Sequence, residues 1–123
     1  MKVLLSIKPE FAEKIFSGEK KFEFRRTIFK DKRVRKIVVY ASAPVQKVIG
    51  EFEIDDIYND SIDALWTKTS KQAGISFDFF CAYFNNKPKG YAIKVKNCRR
   101  YHKPLCIKSD FNLHPPQSFV YLD

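Results

Sequence analysis

Residues 17–26 read SGEKKFEFRR, and Lys20, Glu23 and Arg25 within them are the side chains whose types and spacing can do chemistry. Arg presents a planar fork that suits a bidentate acceptor, and Lys a mobile point charge. A carboxylate among such cations can orient them toward an anion, or accept directly from a nucleobase amino group, as carboxylates do with cytosine N4. It can also act as nucleophile or general base where a partner is positioned for it. As a plain surface ion pair, Glu23 would contribute only ~0–1 kcal/mol. The rest of the chain has to supply the context that separates these roles.

Further candidates lie far from this stretch. Lys8 precedes a helix whose free N–H groups and dipole favour an anion. Ser6 and Ser42 are small hydroxyl residues near strand ends. His114-Pro115-Pro116 is a stiff segment that delivers Gln117 and Ser118 to a final strand. Gln117 can bond a base edge or satisfy backbone groups. Tyr40 and Trp66 are candidate stacking platforms, although Trp66 is expected to pack within a helical insertion.

Metal and catalytic signatures are weak. Cys98, His102, Cys106 and His114 match none of the usual close zinc-ligand spacings, and no metal or cofactor is expected. GxSxG, Cys-His-Asn and Walker patterns are absent from the sequence. His102 and His114 form a conceivable acid–base pair for RNA cleavage, but two histidines alone assign nothing. No catalytic residue is assigned. Three cysteines with no CxxC argue against a disulfide framework and fit a reducing compartment.

The elements that must position these residues are well punctuated. VLLSIK (3–8) is β-rich. Pro9 opens a short helix whose face carries Phe11, Ile15 and Phe16, and Gly18 is its expected left-handed cap. KKFEFRR (20–26) alternates as a half-buried strand, Phe22 and Phe24 toward the core and Lys21, Glu23 and Arg25 on the other face. KIVVYASAP (36–44) is the central-strand candidate, and 45–60 a strand bent near Gly50. Ser61 and Ser76 cap two helices, the second with an apolar stripe of Phe79, Phe80, Tyr83 and Phe84 read as core. Residues 89–101 form a strand, then an irregular Pro-containing stretch leads to a last strand at 118–122.

The 123 residues suit one domain, taken as 1–123, and 45% hydrophobic content is enough for a packed core. No apolar run reaches the ~20 residues of a membrane span, and the N-terminus lacks signal-peptide features, so a soluble cytoplasmic protein is expected. The net charge of +9 is uneven. Residues 1–50 carry 13 Lys/Arg against 5 Asp/Glu (+8), 51–86 carry 2 against 7 (−5), and 87–123 carry 8 against 2 (+6). First and last thirds brought together make a basic surface that attracts a polyanion. The runs KDKRVRK (30–36) and RRYHK (99–103) have few interleaved aromatics, which favours backbone tracking over base stacking.

SIKPEFAEKIFSGEKKFEFRR resembles the opening of ASCH domains, a branch of the PUA-like superfamily with a G-x-K-x-x-E-x-R motif, here Gly18, Lys20, Glu23 and Arg25. The likeness continues through VVYASAPVQKVIGEFEI and GYAIKVKNCRRY to PPQSFVYL. It implies an α+β fold: a small, mostly antiparallel, partly closed β-barrel with helices beside a cleft. It also implies binding of RNA or a nucleotide-like ligand there, with DNA a further possibility. With the motif's Lys20, Glu23 and Arg25 and the residue readings above, the expected ligand-binding residues are Lys8, Lys20, Glu23, Arg25, Ser42, Gln117 and Ser118. The alternative it carries is a hydrolase or ribonuclease acting on RNA or a modified nucleoside in the same cleft. Of the Lys, Thr and Glu set of the family's N4-acetylcytidine amidohydrolases, Lys20 retains the Lys, Glu23 replaces the Thr, and the Glu falls near Ala73. That activity is therefore not expected here. The ligand's identity and the oligomeric state are not legible in the sequence.

Overall fold

The computed structural model describes residues 1–122. Its elements are β1 (Lys2–Ile7), α1 (Pro9–Ser17), β2 (Phe22–Arg25), β3 (Lys36–Ala41), β4 (Lys47–Ser61), α2 (Ile62–Thr69), α3 (Phe77–Tyr83), β5 (Lys89–Leu105), α4 (Ile107–Phe111) and β6 (Phe119–Leu122). A 3₁₀ turn, Ser70–Gln72, follows α2. All six strands form one sheet in the order β2-β5-β4-β3-β1-β6. Only β1 and β3 run parallel; the other pairs are antiparallel.

Local sequence explains most of these elements. Pro9 occupies the first turn of α1, and Gly18 closes it at φ 90°, its N–H donating to the Ile15 carbonyl at 3.2 Å. Ser61 and Ser76 cap α2 and α3 by accepting from Ala64 and Phe79 N–H groups. The ladder of β4 shifts register between Val48 and Gly50, which bends the strand where the glycine led us to expect it. β3 lies inside the sheet, and Ile37, Val38 and Val39 are buried on both faces.

Three apolar clusters hold the sheet. Val3, Leu5, Ile7, Ile37, Val39 and Phe52 pack with Ala12 and Ile15 of α1. Leu4, Val38, Tyr40 and Val48 face Ile107 of α4 across the sheet. Phe22, Phe24 and Ala92 pack under the α2–α3 insertion against Leu65, Phe80 and Phe84. Each fully buried large side chain contributes about 1.5–3 kcal/mol, so the insertion is firmly seated on β2 and β5. Trp66 packs there as expected, its ring 4.9 Å from Phe80 and 5.3 Å from Phe77.

Three expectations need correction. The sheet does not close into a barrel: β2 and β6, each four residues long, are its edges and share no ladder. The segment after residue 101 is more ordered than its prolines suggested. β5 continues to Leu105, and α4 follows, with the Cys106 thiol accepting from Ser109 N–H and Asp110 accepting from Cys106 N–H. Finally, β2 is buried on both faces: on the side that alternation alone would leave to solvent, Glu23 is enclosed and Arg25 donates to the Ser6 carbonyl at the end of β1. No helix among the described residues is long and apolar enough to cross a membrane.

Candidate functional site

The C-terminal ends of β1 and β3 open beside β2, α1, α3 and residues 115–117, leaving a cleft of about 540 Å³. Lys8, Lys20, Glu23, Arg25, Ser42 and Gln117, all expected at a site, line it together. Ser6 lines it too, and its hydroxyl donates to the Pro116 carbonyl at 2.6 Å. Ser118 is not part of the lining; it holds Arg25 from behind.

Arg25 spreads its fork across the opening of the sheet. Nη2 donates to Ser118 Oγ at 2.8 Å, and Nη1 to the Ser6 carbonyl at 3.3 Å and to Glu23 Oε2 at 3.4 Å. Glu23 is only 6% exposed, so the surface ion-pair reading does not apply. Burial pushes its carboxyl above the usual range, against the pull of Lys20 and Arg25. Glu23 thus accepts from Arg25 inside the cleft rather than from a neighbour on the surface.

Lys20 is more enclosed than any sequence signal suggested, at 1% exposed. Its ammonium donates to the Ala73 carbonyl at 2.9 Å and lies 4.7 Å and 5.3 Å from the ring centres of Phe24 and Phe11. Burial lowers its pKa to about 8; Glu23 opposes the shift and Lys14 adds to it. The carbonyl of Ala73 therefore meets the lysine where the amidohydrolase pattern would place a Glu. Gly74 makes this approach possible. At φ 69° it takes a left-handed conformation, and an added Cβ would stand 2.6 Å from Lys20 Cβ.

Lys8 is the N-cap residue of α1, and its ammonium lies 5.6 Å from the centre of the Phe79 ring. Phe79, 37% exposed, and Tyr83 face the cleft, whereas Phe80 and Phe84 from the same stripe are core. The stripe thus divides between two jobs. Tyr40 is buried at the cleft's edge in the third apolar cluster, packed rather than open for stacking. Sequence reasoning also passed over Gln46 and the direct roles of Pro115 and Pro116 in the lining. The aromatics could have been found by asking which helix flank faces the strand carrying Glu23.

Other expectations fall elsewhere. His102 and His114 do not line the cleft, nor do the runs 30–36 and 99–103. Lys30, Lys32 and Arg35 instead border a second, more polar hollow with Asp55 and Asp56. Arg99, with Lys36 and Tyr101, surrounds the buried carboxylate of Glu51. The first and last thirds do come together, through the β1–β6 and β2–β5 ladders.

An open mixed sheet holds the buried Lys20 and Glu23 with the half-buried Arg25 beside its first helix, and the chain matches the ASCH domain over residues 5–105. It belongs to that family. It is 32% identical over 126 residues to an ASCH domain-containing ribonuclease of Zymomonas mobilis, covering 97% of this chain and 82% of that protein. A crystal structure of ASCH from Zymomonas mobilis is similar at a TM-score of 0.90 and 31% identity, over 99% of this chain and 87% of that one. Large ribosomal subunit protein uL22 of Ureaplasma parvum is 33% identical over 122 residues. That similarity takes in 98% of this chain, which spans 39% of that relative's length.

Proposed function

We propose that this chain is an RNA-binding ASCH module that takes one nucleotide of an RNA strand into the cleft. The observation that carries this reading is the part-buried Glu23–Arg25 pair set with Lys8 and Lys20 in one opening. A volume of about 540 Å³ falls within the ~300–1,000 Å³ of small-molecule sites. Lys8 contacts phosphate, Arg25 presents the face of its fork not committed to Ser118 and Ser6, and Phe79 offers a ring to the base. Kinship with a ribonuclease supports RNA as the nucleic acid.

A second reading, RNA cleavage in the same cleft, is favoured by one observation. A lysine whose pKa is brought to about 8 beside a carboxyl raised by burial suits proton transfer near neutral pH. Lys20 would then be the acid–base group.

Labelled single-stranded and duplex RNA and DNA, incubated with the protein at two salt concentrations, test both readings. Binding is expected to prefer single-stranded RNA and fall with salt, and Lys8→Ala to weaken it and reduce the salt slope by about one. Salt-independent binding, or none, defeats the proposal. Strand cleavage abolished in Lys20→Met with binding retained selects the second reading; intact RNA after long incubation retires it.

A further inference from the structure

Four non-glycine residues among those described adopt positive φ: Gln46 at 54°, Asn86 at 65°, Asn97 at 50° and Asn112 at 56°. Three are asparagine, whose short side chain bonds locally and tolerates left-handed backbone. Gln46 breaks the pattern. It lies in the turn between β3 and β4, where Val45 and Gln46 N–H groups both donate to the Ser42 carbonyl, at 3.1 Å and 3.4 Å. Gly or Asn would satisfy that turn at lower conformational cost.

What sets Gln46 apart from the three asparagines is the cleft: it alone of the four lines it. Its amide has no hydrogen-bond partner among the described residues, and neither has that of Gln117, which enters the same cleft from the segment before β6. A primary amide offers one acceptor and a donor side by side, and Gln pairs bidentately with the N6/N7 edge of adenine. We propose that Gln46 is a specificity-determining residue that, with Gln117, hydrogen-bonds the edge of an adenine held in the cleft. This rests on the RNA-binding reading above and names the base it selects.

The test uses labelled RNA pentamers with uridine flanks that differ only at the central base. The wild-type protein is expected to bind the adenine-centred RNA about tenfold more tightly than the uridine-centred one. Gln46→Gly, which relieves the backbone conformation, is expected to hold an equal or higher Tm yet bring that ratio to within about twofold. A purely structural Gln46 predicts the higher Tm with the preference intact, and that result overturns the proposal. So does a wild-type preference for another base, or no preference among bound RNAs. If the wild-type protein binds none of the four, the RNA-binding reading falls and this inference falls with it.

Discussion

The Arg25 guanidinium donates to the Ser118 hydroxyl at 2.8 Å across a separation of 93 residues. Arg25 ends β2, one edge of the sheet, and Ser118 immediately precedes β6, the other edge. Side-chain hydrogen bonds therefore span a gap that no backbone ladder crosses. The cleft is the space this leaves, and Arg25, one of its lining cations, is also the clasp.

Removing that clasp is expected to be costly. Arg25→Ala leaves the Glu23 carboxylate buried without its partner, and loss of one member of such a pair typically costs ~3–5 kcal/mol. Ser118→Ala removes one hydrogen bond to a charged group, ~1.5–3 kcal/mol at most. Urea unfolding of the two single variants and Arg25→Ala/Glu23→Gln measures this. The double variant should recover much of the Arg25→Ala loss, and an Arg25→Ala protein as stable as wild type contradicts the account.

Stability should depend on pH through Lys20. Its pKa of about 8 lies below the ~10.4 of an unfolded-chain lysine, so between these values the unfolded state binds more protons. Stability then rises with pH across that window, by a few kcal/mol at most. Glu23 has the opposite sign: its raised folded pKa makes the folded state hold the extra proton, so stability rises as pH falls from that value toward the ordinary carboxyl range. Chemical denaturation from pH 7 to 10 should show the Lys20 rise in the wild-type protein and a flatter profile in Lys20→Met. Identical slopes would refute it.

Gly74→Ala combines a disfavoured left-handed φ with a Cβ placed 2.6 Å from Lys20 Cβ and 3.1 Å from its Cα. A loss of ~1–3 kcal/mol is expected. Because the clash falls on Lys20, the Lys20-dependent rise of stability between pH 8 and 10 should shrink as well. A variant with wild-type Tm would show that the 73–74 turn yields without disturbing the lysine.

Ser76→Ala deletes the hydroxyl that accepts from Phe79 N–H at 3.1 Å. The cost should be ~1 kcal/mol. The more specific effect is local: Phe79 sits in the first turn of α3, so amide exchange at Phe79 and Phe80 should accelerate ahead of the sheet. Uniform acceleration throughout the chain would speak against a local cap.

Legibility in the sequence followed the range of the forces involved. α1 could be read because Pro9 and Gly18 act within a few residues, and β2 because Phe22 and Phe24 alternate. The burial of Lys20 and Glu23 could not, since it depends on Ala73 and on α1 arriving from elsewhere. Six of the seven residues expected at the site line one opening, Ser118 being the exception; the family motif pointed to Lys20, Glu23 and Arg25, and the helix N-terminus, strand ends and Pro-rich segment to the others. Barrel closure was misjudged because edge pairing depends on where β2 and β6 end. α4 escaped notice because cysteine is an unusual N-cap, and Gln46 because no residue pattern announces a left-handed glutamine.

Sequence separation along the cleft wall also carries a consequence for the order of synthesis. Ser6 meets Pro116 across 110 residues, and Arg25 meets Ser118 across 93. A nascent chain grown through β5 can already assemble β1, β3, β4 and β2 against it, yet it lacks one wall of the opening. At ~5–20 residues per second of translation, the stretch from Leu105 to Ser118 takes about a second to be added, and until then Arg25 lacks its Ser118 partner. The wall of the cleft is thus closed only after the strands it joins have been made.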